Sequence, residues 1–142
     1  MDANVEMLNY IYQNAQMGEN TLEQLMKISK DENFKKLLGS QFSEYKKIFN
    51  EAQQKLTALN KEAKDLSAGR KVMTYIMINF ETLKDSSPSH ISQMLIQGST
   101  MGIIAITKNL KEYKDANQDI IALGHKLLEF EQQNVEECKK FL

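Results

Sequence analysis

Six polar side chains stand on or beside the apolar seams of a chain that otherwise reads as amphipathic helix. They are Glu19, Gln41, Glu44, Gln97, Glu131 and Asn134. Gln41 and Glu44 are three residues apart, and so are Glu131 and Asn134. At that spacing each pair shares one face of a helix. Glu19, Glu44 and Glu131 are carboxylates, and inward carboxylates are hard oxygen donors for divalent cations. Gln41, Gln97 and Asn134 carry amides, which are weak ligands but good hydrogen-bond partners. Two chemistries are therefore open. The three carboxylates can hold a metal ion, or carboxylates and amides can fill a core layer as a satisfied network without metal.

Positioning these residues requires long helices. Apolar residues recur in steps of three and four at Val5, Leu8, Ile11, Tyr12, Ala15, Leu22, Leu25 and Met26, which predicts a helix over 2–29 with Gly18 and Glu19 facing inward. A second stripe from Phe34 through Leu38, Gln41, Tyr45, Ile48, Ala52, Leu56, Leu59 and Ala63 to Leu66 predicts a helix over 31–66, capped by Asp31. Ser67-Ala68-Gly69 breaks the chain, and a shorter amphipathic helix is expected over 70–84. Ser87 and Pro88 suit the cap and first position of a helix over 89–114. Asn117 starts a last helix over 117–141.

The third long helix contains Gly98 and Gly102, each less favourable than alanine in a helix by roughly 1 kcal/mol. Close helix packing or a ligand cavity would explain them. No run alternates apolar and polar residues between turn signals, so no strand is expected. The tight turns near 30–31 and 115–116 make two antiparallel hairpins. About 20 residues separate the second and third long helices, enough to travel the length of a bundle. That predicts a crossover and parallel second and third helices. Folding each hairpin about its turn brings Glu19 beside residue 42 and Gln97 opposite residue 134, so the polar residues share a mid-bundle level. Tyr12 and Tyr45 lie on facing seams and can donate to that layer.

In this arrangement the chain resembles the ferritin-like superfamily of four-helix bundles, which includes the rubrerythrins. The resemblance spans nearly all of the sequence and is one of architecture. In metal-binding members one helix of each pair supplies Glu and the other Glu-x-x-His, together holding two iron or manganese ions. Here the matching positions read Glu19, Gln41-x-x-Glu44, Gln97 and Glu131-x-x-Asn134. The spacing is kept and both histidines are absent. The resemblance therefore implies an all-α, single-domain ferritin-like bundle over 1–142 that has lost its di-metal site and acts as a binding or structural protein without a cofactor. The alternative it leaves is a redox or iron-handling protein that binds iron or manganese through Glu19, Glu44 and Glu131, with Tyr45 nearby.

Composition narrows the rest. With 18 basic and 19 acidic residues, the net charge of −1 offers no basic stripe for nucleic acid. Apolar runs such as Ile103 to Ile106 are far shorter than the about 20 residues that cross a membrane. The opening residues lack a basic segment followed by a long apolar run, so no secretory signal is expected. A lone cysteine, Cys138, excludes an intrachain disulfide and fits a reducing, cytoplasmic setting. It reads as a small buried apolar residue. His90 and His125 read as surface residues, too few to supply a zinc or haem site. Residual apolar surface on such a bundle is expected to pair in a homo-oligomer.

Overall fold

A computed structural model describes residues 2–62 and 84–142. Among these residues the fold is all-helical: α1 (Ala3–Ile28), α2 (Glu32–Ala58), α3 (Pro88–Glu112) and α4 (Gln118–Lys139). The helix starts follow the cap chemistry. Asp2 accepts from the Asn4 backbone N–H, Asp31 from Phe34 and Ser87 from His90, with Pro88 in the first turn of α3. Each cap satisfies a donor that the helix itself leaves free. Asn117 precedes α4 without a side-chain cap bond. Its own backbone N–H instead donates to Asn4 Oδ1 at 2.7 Å, pinning the start of α4 to the start of α1.

The second helix ends earlier than its apolar stripe suggests. The stripe continues to Leu66, but α2 stops at Ala58. Asn60 adopts a φ of 58°, in the left-handed region. Its backbone N–H donates to Thr57 O, and that of Lys61 donates to Leu56 O at 2.9 Å. This paired closure is the Schellman stop, and asparagine tolerates it better than other side-chain-bearing residues. A local cap therefore overrides the period. The helix expected over 70–84 falls outside the described residues, apart from Lys84 at its end.

The helix directions follow from named contacts. Phe34 packs against Phe141 in a tilted contact with ring centroids 5.0 Å apart, Gln41 meets Cys138, and Lys55 pairs with Asp119. Thus α2 and α4 are antiparallel. Gly102 faces Glu131 and Gly124 faces Leu110, so α3 and α4 are antiparallel as well. It follows that α2 and α3 run the same way. Asp31 and Pro88, at their two N-termini, border one cleft. The hairpins turn almost where the sequence places them, since Gly18 lies against Tyr45 and Gly102 against Glu131.

The core runs along all four helices. Its fully enclosed side chains include Met7, Leu8, Ile11, Phe34, Ile48, Ile91 and Ile106. Tyr12 stacks on Phe49 and Tyr45 meets Phe130 edge-on. Burial of a large side chain of this kind contributes about 1.5–3 kcal/mol. No helix among the described residues is long and apolar enough to cross a membrane. Met101 and Ile104 on α3 stay about half exposed.

The parallel order of α2 and α3 has a direct test. Spin labels at Glu32 and Ser89, with Cys138 replaced by serine, should report a short separation. Labels at Glu32 and Glu112 should be separated by about the length of α3, roughly 37 Å at 1.5 Å per residue. The reverse order of distances would overturn this topology.

Candidate functional site

At mid-bundle the four helices converge on one carboxyl group. Glu131 projects from α4 and is completely buried. The Tyr45 hydroxyl of α2 donates to Glu131 Oε2 at 3.1 Å. Asn14 Nδ2 of α1 donates to Oε1 at 3.2 Å and also to the Tyr10 hydroxyl at 3.0 Å. From α3, Gly102 makes the room: a Cβ there would overlap both carboxyl oxygens. Gly18 does the same for the Tyr45 ring, where a Cβ would come within 2.6 Å of ring carbons. Both glycines thus admit a side chain from the facing helix.

Around this centre the layer continues. Gln41 Nε2 contacts Cys138 Sγ at 3.5 Å, which holds the thiol inside the polar layer. Ser99 lies beside the Tyr45 hydroxyl. Asn134 lies one turn beyond Glu131 beside the same phenol, and its Nδ2 has no hydrogen bond of good geometry. Burial of a polar atom in this state is costly, about 1–3 kcal/mol.

No cation among the described residues offsets the Glu131 carboxyl. Desolvation raises its pKa from an ordinary 4.5 to about 8, against the lowering effect of the bonds from Tyr45 and Asn14. The group is therefore mostly neutral at pH 7. Burial, reinforced by the nearby Glu131 charge, pushes the Tyr45 and Tyr10 phenols well up. Both phenols stay protonated, Tyr45 donating to Glu131 and Tyr10 accepting from Asn14. Burial also raises the Cys138 thiol, which removes the thiolate needed for nucleophilic work.

The other expected site residues lie elsewhere. Glu19 is half-buried at the rim, where burial raises its pKa while Lys46 opposes and Glu23 adds to the shift. Glu44 is also at the rim, paired with Lys47 at 3.5 Å. Gln97 is exposed. Among the described residues no group of three or more His, Cys, Asp or Glu side chains is placed to hold a metal ion. The set Glu19, Glu44 and Glu131 is thus not assembled around one centre. Helical rotation explains it. Gly18 and Tyr45 take the inward positions, and Glu19 and Glu44 sit one residue away, about 100° round each helix. The structure does bring Gln41, Glu131 and Asn134 into one layer. A di-metal centre does not fit this donor set, which presents one inward carboxylate among amides and phenols.

Asn14 and Tyr10 are the partners that the seam analysis missed. Asn14 lies three residues after Ile11 and four before Gly18, steps that place it on the buried stripe. The whole of Met7–Ala15 is buried, so α1 has no polar outer face there. Tyr45 was recognisable as a donor and acts as one.

Beside the layer, α1, α2 and α3 border a partly open cavity of about 130 Å³. The Tyr45 ring and Gln41 form one wall, and Gly98 and Ser99 of α3 form another. It reaches the surface beside the exposed Gln97.

Comparison with protein-family models, with curated proteins and with solved structures gives no match.

The buried carboxyl sets a pH dependence. Below about pH 4.5 the folded and unfolded chains both keep the proton. Between there and about pH 8 only the folded chain keeps it. Folding then takes up a proton, and stability should fall by about 1.4 kcal/mol per pH unit before levelling off. Denaturant melts across this range should show the decline, and Glu131→Gln should flatten it. Tyr45→Phe removes a bond that favours the charged form, so the Glu131 carboxyl resonance should titrate higher than in the parent chain. Gly102→Ala should destabilise the fold by about 1–3 kcal/mol through overpacking, read from the same melts.

Proposed function

We propose that this chain is a ferritin-like bundle whose centre is a metal-independent hydrogen-bonded layer, and that it serves as a binding or structural protein and not as an enzyme. The observation that carries this reading is the environment of Glu131. A di-metal bundle surrounds its ions with several carboxylates and two imidazoles. Here the same level of the fold gives one carboxyl group hydrogen bonds from Tyr45 and Asn14. The two antiparallel hairpins and the parallel order of α2 and α3 support the ferritin-like part of the proposal. Fold alone does not carry activity, and the layer offers no activated nucleophile: the cysteine thiol is held protonated and neither histidine reaches the centre.

The layer is best understood as a polar plug that joins the four helices. Gln41 and Asn134 extend it along α2 and α4, and Cys138 closes it. A small partner or ligand would then be bound by shape and hydrogen bonding. The homo-oligomer belongs to the same proposal, since Met101 and Ile104 leave apolar surface on α3. A sedimentation run at tens of micromolar giving only monomer would remove that part.

Elemental analysis after purification without chelators, followed by iron and manganese titration, tests the central claim. The expected result is no stoichiometric metal, and no change in melting temperature on adding either ion. One or two equivalents of bound metal, lost in Glu19→Ala or Glu131→Ala, would instead establish the iron- or manganese-handling alternative. As a second measure, Gln41→Leu should raise stability by roughly 1 kcal/mol if that amide only plugs the core.

A further inference from the structure

We infer that the cavity between α1, α2 and α3 is a binding site for a small, neutral, mostly apolar molecule carrying a single hydroxyl or carbonyl group. The inference rests on the reading of this bundle as a binding protein and adds the site and the class of ligand.

Size comes first. The cavity holds about 130 Å³. An apolar protein cavity of about 150 Å³ accommodates benzene. A ring of six atoms with one substituent is therefore near the upper limit of what the cavity itself holds, and a nucleotide, sugar phosphate or haem would lie mostly outside it. An extended acyl chain would have to leave the cavity after a few carbons.

Chemistry narrows the class further. Leu22 of α1 with Met94 and Leu95 of α3 supply apolar walls. Thr21, Gln41 and Ser99 supply polar atoms from three different helices. Gln41 spends one amide hydrogen on Cys138, and its carbonyl oxygen remains an acceptor. The Thr21 hydroxyl can donate or accept. Among the described residues the lining includes no Lys, Arg, His, Asp or Glu. An anion would find no counter-charge among them, and their ionisable member is Tyr45, already bonded to Glu131. A cation would find no carboxylate among them either. Burying either charge unpaired is strongly unfavourable. A neutral ligand with one polar atom meets no such penalty, and that atom can be satisfied at Gln41 or Thr21.

The shape is built into the sequence. Gly18, Gly98 and Ser99 are the small residues around the space. Gly18 is needed to admit the Tyr45 ring, which closes the inner end. The outer end lies at Gln97, the exposed lining residue, so a ligand has a route in without unfolding of the bundle.

Phenol is the probe, followed in amide and methyl NMR spectra of the isotope-labelled full chain, with benzoate as the anionic control. Saturable shifts should centre on Thr21, Gln41 and Ser99. Intermolecular nuclear Overhauser effects should connect the phenol ring protons to the methyl groups of Leu22 and Leu95. Benzoate at neutral pH should bind at least about tenfold more weakly, because its charge would be buried unpaired. Leu95→Trp should fill the space and lower phenol affinity by about tenfold or more, the outcome expected when a bound ring loses its cavity. If that variant does not fold, the Overhauser contacts in the parent chain decide the matter. Phenol that contacts neither Leu22 nor Leu95, or binds no better than benzoate, overturns the inference. Metal uptake in the separate titration would overturn the metal-independent centre and leave the phenol contacts as they are, so the two failures are distinguishable.

Discussion

A carboxyl group enclosed on every side, with no cation among the described residues to balance it, is the constraint on which this bundle depends. Glu131 receives Tyr45 from α2 and Asn14 from α1, and it occupies space that Gly102 leaves on α3. Every helix therefore has one fixed position relative to the same two oxygen atoms. Sliding any helix by one turn, about 5.4 Å, would remove a donor or drive a side chain into the carboxyl group. Apolar packing drives the helices together, but hydrophobic attraction is not directional. The layer supplies the direction. An unpaired charge there would be severely unfavourable, so the group holds its proton at neutral pH.

The ends of the bundle are held differently. At one end Phe34 and Phe141 pack together, and the caps Asp31 and Ser87 close the starts of α2 and α3. At the other, Asn4 ties α1 to the backbone of Asn117, and Lys55 reaches Asp119 at 2.9 Å. These are partly exposed contacts of modest strength. An exposed ion pair contributes about 0–1 kcal/mol. The ends are thus joined by many small terms, while mid-bundle depends on a few bonds that cannot be replaced by water. Tyr12 on Phe49 and Tyr45 on Phe130 flank the layer with aromatic contacts.

The four long helices were legible because apolar residues recur at the helical period for more than twenty residues at a time. Asp31, Ser87 and Pro88 were legible because capping is local chemistry. The end of α2 was not, because Leu59, Ala63 and Leu66 continue the period past a stop made by the backbone of Asn60. At the site, Glu131, Gln41, Asn134 and Tyr45 could be read from their seams. Glu19 and Glu44 could not be separated from their neighbours, since a seam position is uncertain by one residue and one residue is 100° of rotation. Gly18 and Tyr45 won the inward places because the ring fits only where no Cβ competes. Asn14 escaped because an asparagine on a stripe looks like an interruption until its partner, 117 residues later, is known.

The stretch from Gly98 to Gly102 ties these observations together. It belongs to the most apolar helix, yet its residues are among the smallest in the core. A helix face of small residues cannot fill the space opposite it, so that space is taken by something else. At Gly102 it is taken by the Glu131 carboxyl. At Gly98 and Ser99, one turn earlier, it remains open as the cavity. Tyr45 stands between the two, with its hydroxyl on the carboxyl group and its ring against the opening. Close packing and a cavity are therefore not alternatives for these glycines. Each occurs at one of them, and the phenol separating them exists in that position because a third glycine, Gly18, lets its ring lie flat against α1.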